Sequence, residues 1–366
     1  MRTQGPPYAL ASPQGQPIEA LFKSKPEDFE VHEIPAYPPS GTGEHIYIHI
    51  EKRGIDTIEA IRRLSRALKL SPTRFGHAGM KDRHALSTQW LSIHSPLPSS
   101  ALEKLALPGL RILEISRHRN KLRAGHLRAN RFCIVLRKVA PSCFEPIRER
   151  LEWLKTQGLP AYFGEQRFGR AGDNATRAWE WLLGKGQAPS HSLEGRLWVS
   201  ALQAEIFNAL LDARIRAGEY GRIIEGDLVR KEDTGGLFIA DGSLAMQERA
   251  ARFELSPTGP IVGPRMLWPE GEARRREEAA IAQAGLHPEL LSRLGRYGKG
   301  SRRPYRFPVR DTHISFDASN HLVTIHFTLP PGAYATELIR ELTQGGARDA
   351  SLLHQGAAPT NNQSND

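Results

Sequence analysis

Two runs of strict alternation stand near opposite ends of the chain. In His45–Lys52 the residues Ile46, Ile48 and Ile50 fall on one face, with Tyr47 and His49 on the other; in His321–Leu329 one face holds Val323, Ile325, Phe327 and Leu329. A period of two rich in β-branched residues dictates half-buried strands. The middle of the chain reads differently. Helices are predicted at Asn174–Leu183, Ser200–Ala217 and Glu272–Ala284, with Gly/Pro-rich loops at Gly184–Pro189 and Ser256–Pro264 and short strands near Ile223–Arg230 and Leu237–Ala240. The chain therefore leaves a strand-rich region, makes a long helical excursion and returns to a sheet. Its 366 residues suffice for two domains, each with its own core.

Other elements follow the same rules. Residues 1–20 are rich in Pro, Gly and Gln and read as an irregular arm. After Lys23 and Lys25 comes a Pro26-Glu-Asp28 turn, and Phe29, Val31 and Ile34 begin a strand. Asp56-Thr-Ile-Glu59 has the form of a capping box, opening a helix with Ile58, Ile61, Leu64 and Leu68 on one stripe. Glu145–Gln157 is a further amphipathic helix, stopped by Gly158.

Charge narrows the function classes. Fifty Lys and Arg against forty Asp and Glu give a net charge of +10, which favours an anionic partner, nucleic acid before a membrane surface. The excess is concentrated: from Arg111 to Lys138 there are nine bases and one acid, Glu114, and this segment reads as a phosphate-contacting ribbon. Arg296–Arg306 adds five bases and two tyrosines without an acid, a composition suited to unpaired RNA. No apolar run reaches the roughly 18 residues of a spanning helix, and Met1–Pro7 lacks the apolar core of a signal peptide. Cys133 and Cys143 are the only cysteines, and no Cys/His group has zinc spacing, so the expectation is a reduced cytoplasmic protein without metal or cofactor.

One stretch carries the chemistry: Phe75-Gly-His-Ala-Gly-Met-Lys-Asp-Arg-His-Ala-Leu-Ser-Thr-Gln-Trp90. Gly76 and Gly79 permit close backbone approach or positive φ. Asp82 follows between Lys81 and Arg83, with a strand expected from Gln89 to His94. A carboxylate on such a turn can act as nucleophile or base towards an anionic substrate. Equally, Asp82 can cap a short helix at Arg83–Leu86.

Five segments in this order resemble the TruD family of tRNA pseudouridine synthases: Lys23-x-x-Pro-Glu-Asp-Phe29, the Gly79-x-Lys-Asp82 turn, Asn130-x-Phe132, Tyr162-Phe-Gly-Glu-Gln-Arg-Phe-Gly169, and Leu329-Pro-x-Gly-x-Tyr334-Ala-Thr336. The resemblance implies an α+β pseudouridine-synthase fold around a mixed, largely antiparallel sheet, with an inserted α/β domain. It implies a discontinuous catalytic domain at 1–157 and 306–350 and an inserted domain at 158–305, while the small, polar composition of the tail at 351–366 reads as disordered. The implied activity is isomerisation of uridine-13 in certain tRNAs, with tRNA as partner and no membrane or small-molecule cofactor. Asp82 is then the nucleophile and Lys23 the partner that keeps it ionised. Asn130 holds the nucleotide, while Phe132, Phe29 and Tyr334 line the base site; family members commonly have Phe where this chain has Tyr334. A rival reading is a non-catalytic RNA chaperone or assembly factor that uses the same basic surface but does not need Asp82.

Overall fold

The computed structural model describes residues 8–353 apart from 96, 99, 104 and 170. They form two compact units: one of 16–149, 309–332 and 342–353, the other of 8–15, 150–308 and 333–341. Of the expected tail, Ser351–Leu353 are helical, and the remainder lies outside the described residues.

The first unit is built on a ten-stranded sheet. Its strands are β1 (Ala20–Phe22), β2 (Phe29–Pro35), β3 (His45–Arg53), β4 (Phe75–His77), β5 (Leu86–His94), β6 (Leu110–His118), β7 (Leu127–Arg137), β8 (Arg310–Asp317), β9 (Leu322–Leu329) and β10 (Ala347–Asp349). The order is β8-β9-β7-β2-β5-β3-β6, with β4 beside β5 and β1 joining β7 to β10. All pairings are antiparallel except β2 with β5 and β1 with β10, so the sheet is mixed and largely antiparallel, as expected for an α+β fold. The two alternating runs that define the pattern become β3 and β9, and Ile46, Ile48, Ile50, Ile325 and Phe327 are all fully buried. Each such side chain contributes roughly 1.5–3 kcal/mol by leaving water.

Helix α1 (Thr57–Leu68) covers the isoleucine face. Asp56 caps it by accepting the Glu59 N–H at 2.8 Å. The buried stripe is Thr57, Ala60, Ile61 and Leu64; Ile58, assigned to it from spacing, is exposed. Strand β6 lies at the sheet edge while β7 is interior, so the two arms of the basic segment do not pair with each other. Their connection instead packs on the Phe75–Trp90 stretch and the turn before it: Gly125 N–H donates to Ala78 O at 2.8 Å and Lys121 Nζ to Thr73 O at 2.6 Å.

The second unit surrounds the helix Ser192–Arg216, which begins eight residues before the start expected from periodicity and buries Trp198, Phe207 and Leu211. Ser256–Pro264, read as a loop, contributes most of the strand Leu255–Ile261. Its prolines are tolerated because the strand changes partners midway: one neighbour pairs with Leu255–Pro257, another with Thr258–Ile261. The bases of Arg296–Arg306 also differ from expectation. Arg302 is buried in an ion pair with Glu277, Arg303 bonds Ala161 O, and Arg306 bonds the carbonyls of Gln157 and Ala250. Three of the five bases thus cross-link the interior of the unit, one through an ion pair and two through backbone carbonyls.

Candidate active site

Lys23 follows β1 directly and has a left-handed backbone, φ 56°. That conformation is unusual for a residue with a side chain, and the turn redirects the chain into Pro26–Asp28. Asp28 is fully buried and fixed by two bonds from Arg137 on β7, at 2.8 and 2.7 Å. The Lys23 ammonium is thereby placed 2.6 Å from Asp82 Oδ2, 3.3 Å from Asp349 Oδ2 and 4.7 Å from the centre of the Phe29 ring. Its side chain is 3% exposed, whereas that of Asp82 is 28% exposed. The buried cation is satisfied by two carboxylates and an aromatic face, and both carboxylates keep some exposure, Asp349 at 17% less than Asp82.

The Asp82 loop is held from beneath. Lys81 points inward and pairs with Glu33 at 2.8 Å, while its N–H donates to Thr57 Oγ1, whose hydroxyl donates to Gln89. Lys52 Nζ donates to the carbonyls of Ile55 and Asp82, at 2.7 and 2.8 Å. Neither motif glycine has a positive φ. Gly76 is needed for approach, since a Cβ there would collide with the Leu122 carbonyl and Ser92 Oγ; at Gly79 a Cβ would find ordinary contacts. No helix follows Asp82, because β5 begins at Leu86. The carboxylate instead accepts the His84 N–H at 3.1 Å, closing an Asx-type turn. Of the two open readings, the helix cap is excluded.

Burial pushes the Asp82 carboxyl upward, but the adjacent Lys23 ammonium and the His84 N–H outweigh it and hold the group below the ordinary 3.8. Asp82 is therefore ionised at neutral pH. Burial has the opposite consequence for Lys52, which is lowered to about 8 despite the nearby charges of Asp82 and Asp56.

Phe29 and Phe132 are 5% and 6% exposed. Their rings meet edge to face at 6.2 Å, and Phe132 stacks on Phe327 at 5.0 Å. Asn130 lies two residues before Phe132 on β7, hence on the same face, in register with Glu33 on β2 and Leu329 on β9. Its Oδ1 is buried with no hydrogen-bond partner among the described residues, an acceptor left over by the fold. Lys23, Asp82, Phe29, Phe132 and Asn130 thus belong to one unit. Tyr334 belongs to the other. There its ring packs at 6.4 Å on Phe163, and its hydroxyl accepts a bond from Arg167 at 3.3 Å, giving the extra oxygen of this tyrosine a partner.

A family model described as tRNA pseudouridine synthase D (TruD) matches residues 9–185 and 190–342. The chain belongs to the TruD family. A curated relative, tRNA pseudouridine synthase D of Anaeromyxobacter dehalogenans (strain 2CP-1), is 41% identical over 334 residues, covering 89% of this chain and 93% of its own. Its namesake from Thermus thermophilus is 36% identical over 328 residues, covering 90% of each. A crystal structure of a candidate tRNA pseudouridine synthase D from Methanosarcina mazei superposes with a TM-score of 0.72 at 22% identity, over 94% of this chain and 97% of that one, and supports the fold.

The family match spans every site residue expected from sequence, yet it ends before Asp349. Sequence reasoning misses Asp349, Glu33 and Lys52. Two of them leave a signal. Lys52 continues the inward phase of Ile46, Ile48 and Ile50, and Glu33 that of Phe29 and Val31, so each is a charge at a core position that demands a partner. Asp349 leaves none, because only the parallel pairing of β10 with β1 brings it to Lys23.

Proposed function

We propose that this TruD-family chain is a tRNA pseudouridine synthase that isomerises uridine-13, with Asp82 as nucleophile. The observation that carries the reading is the ion pair between a partly open Asp82 and a buried Lys23. In the reaction the C1′–N1 bond breaks and N1 gains a proton, while a C1′–C5 bond forms and C5 loses one. Atoms and charge balance without a redox partner or an energy source, so the reading implies no cofactor.

The target uridine must leave its stack to expose C1′. Attack on C1′ and elimination to a glycal both require the carboxylate to be ionised, which is the state Lys23 favours. Asn130, with an unused acceptor, fixes the nucleotide. Phe132 and Phe29 supply the aromatic wall against which the detached uracil turns, and Tyr334 keeps the stacking role that the family resemblance implies. The sheet unit is the catalytic body, and the unit built on 150–308 is the inserted domain. The partner is tRNA, met by exposed bases on and beside the β6–β7 connection, and the expected location is the cytoplasm.

The test is single-turnover conversion of tRNA by Asp82→Asn, with the modified position mapped in the wild-type product. Asn preserves size and the turn but removes the charge. Conversion should vanish while tRNA binding and the melting curve persist, because phosphate and stacking contacts lie elsewhere. A correctly folded Asp82→Asn protein that converts tRNA at the wild-type rate would sink the nucleophile assignment. Pseudouridine appearing away from position 13 would sink the site assignment alone.

A further inference from the structure

We propose that Asp349 is a positioning residue: a second, permanent counter-ion that keeps Lys23 charged and seated while Asp82 is neutralised during the reaction. The inference rests on the reading of Asp82 as nucleophile and adds a residue outside the span of the family match.

Lys23 Nζ lies between two carboxylates, 2.6 Å from Asp82 Oδ2 and 3.3 Å from Asp349 Oδ2. The two acids are differently held. Asp82 is on a loop and partly open, with one oxygen engaged by a backbone N–H. Asp349 closes β10, in register with Phe22 immediately before Lys23. Its Oδ1 accepts both the N–H and the hydroxyl of Ser351, at 3.0 and 2.6 Å, which fixes the carboxylate plane and leaves Oδ2 for the lysine.

Reaction chemistry makes the second acid necessary. When Asp82 forms an ester with C1′, or takes the C2′ proton during elimination, the C1′–N1 bond breaks and the negative charge passes from Asp82 to the departing uracil, which must turn and is no fixed partner for Lys23. With Asp82 as sole partner, the ammonium would become an uncompensated charge on a side chain 3% exposed, a strongly unfavourable state. Lys23 would then lose its proton or its place. Asp349 takes no part in bond making and keeps its charge, so the lysine stays protonated and ready to receive Asp82 as a carboxylate when the intermediate resolves.

The structural alternative is that Asp349 only caps the short turn Ala350–Leu353 through Ser351. Asn caps about as well as Asp, so Asp349→Asn keeps that role and removes only the charge. The experiment uses the full chain with tRNA and compares wild type, Asp349→Asn, Asp349→Glu and Asp82→Asn in single-turnover conversion at saturating tRNA, beside a binding isotherm and a melting curve. Asp349→Asn should slow conversion at least tenfold with the tRNA Kd within twofold, and Asp349→Glu, which retains the charge, should recover most of the rate. Asp349→Ser, another capping residue, replaces the Asn variant if that one does not fold. Wild-type conversion by Asp349→Asn, or a Glu variant as slow as the Asn variant, overturns the proposal. An inert Asp82→Asn beside a fully active Asp349→Asn overturns only this inference, whereas an active Asp82→Asn removes the reading beneath it.

Discussion

Lys81 and Glu33 form an ion pair directly beneath the Asp82 loop, Nζ to Oε2 at 2.8 Å, with side chains 4% and 0% exposed. The second Glu33 oxygen accepts the Trp90 N–H at 3.1 Å, tying the loop to β5. Although Lys81 stands next to Asp82 in a motif that reads as basic, its charge is consumed inside the protein. The base that serves Asp82 comes instead from Lys23, 59 residues earlier.

Lys81→Met should therefore act on stability. It leaves Glu33 buried and unpaired, a change that costs about 3–5 kcal/mol. Replacing both members, Lys81→Met with Glu33→Leu, should recover most of that loss, because an apolar pair needs no desolvation of charge. Urea unfolding at constant m measures both. A single variant within about 1 kcal/mol of wild type would contradict the burial of this pair.

The pH dependence of conversion tests the Lys23–Asp82 pair. Asp82 is held below its ordinary value, so its charge is lost only as pH falls through that depressed value, and conversion should not decline between pH 7 and about 5 on its account. In Lys23→Met the burial effect loses its main opponent, only the smaller His84 contribution remains, and the group rises. The acid limb of the single-turnover rate should then move towards neutral pH. A limb at the same pH in both proteins would show that Lys23 does not set the charge state of Asp82.

Salt dependence tests the basic surface. Arg119, Arg123 and Arg128 are exposed, whereas Lys121 is tied to Thr73 and Arg137 to Asp28. Reversing Arg119, Arg123 and Arg128 to Glu should weaken tRNA binding and flatten the slope of log K against log salt by about 0.7 for each phosphate that is no longer neutralised. Reversal of Arg302, Arg303 and Arg306 should instead destabilise the second unit, since all three are largely buried. Equal slopes before and after the first reversal would place tRNA on another surface.

Local sequence determined the elements and the chemistry on them. Strict alternation at His45–Lys52 and His321–Leu329 specifies strands because side chains on a pleated backbone repeat every two residues. Asp56 and Glu59 mark a helix start because the N-cap geometry is local. The five separated motifs identify the family for the same reason, being short and contiguous. What local pattern cannot encode is which strand lies beside which. Pairing β10 with β1 decides that Asp349 reaches Lys23, and placing β7 between β9 and β2 decides that Phe132 meets Phe29 and Phe327. Tertiary contact also decides the fate of charge. Lys81, Arg302 and Arg306 look like surface bases in one dimension, yet each meets a carboxylate or carbonyl supplied from a distant segment, and only that partner makes burial of the charge tolerable.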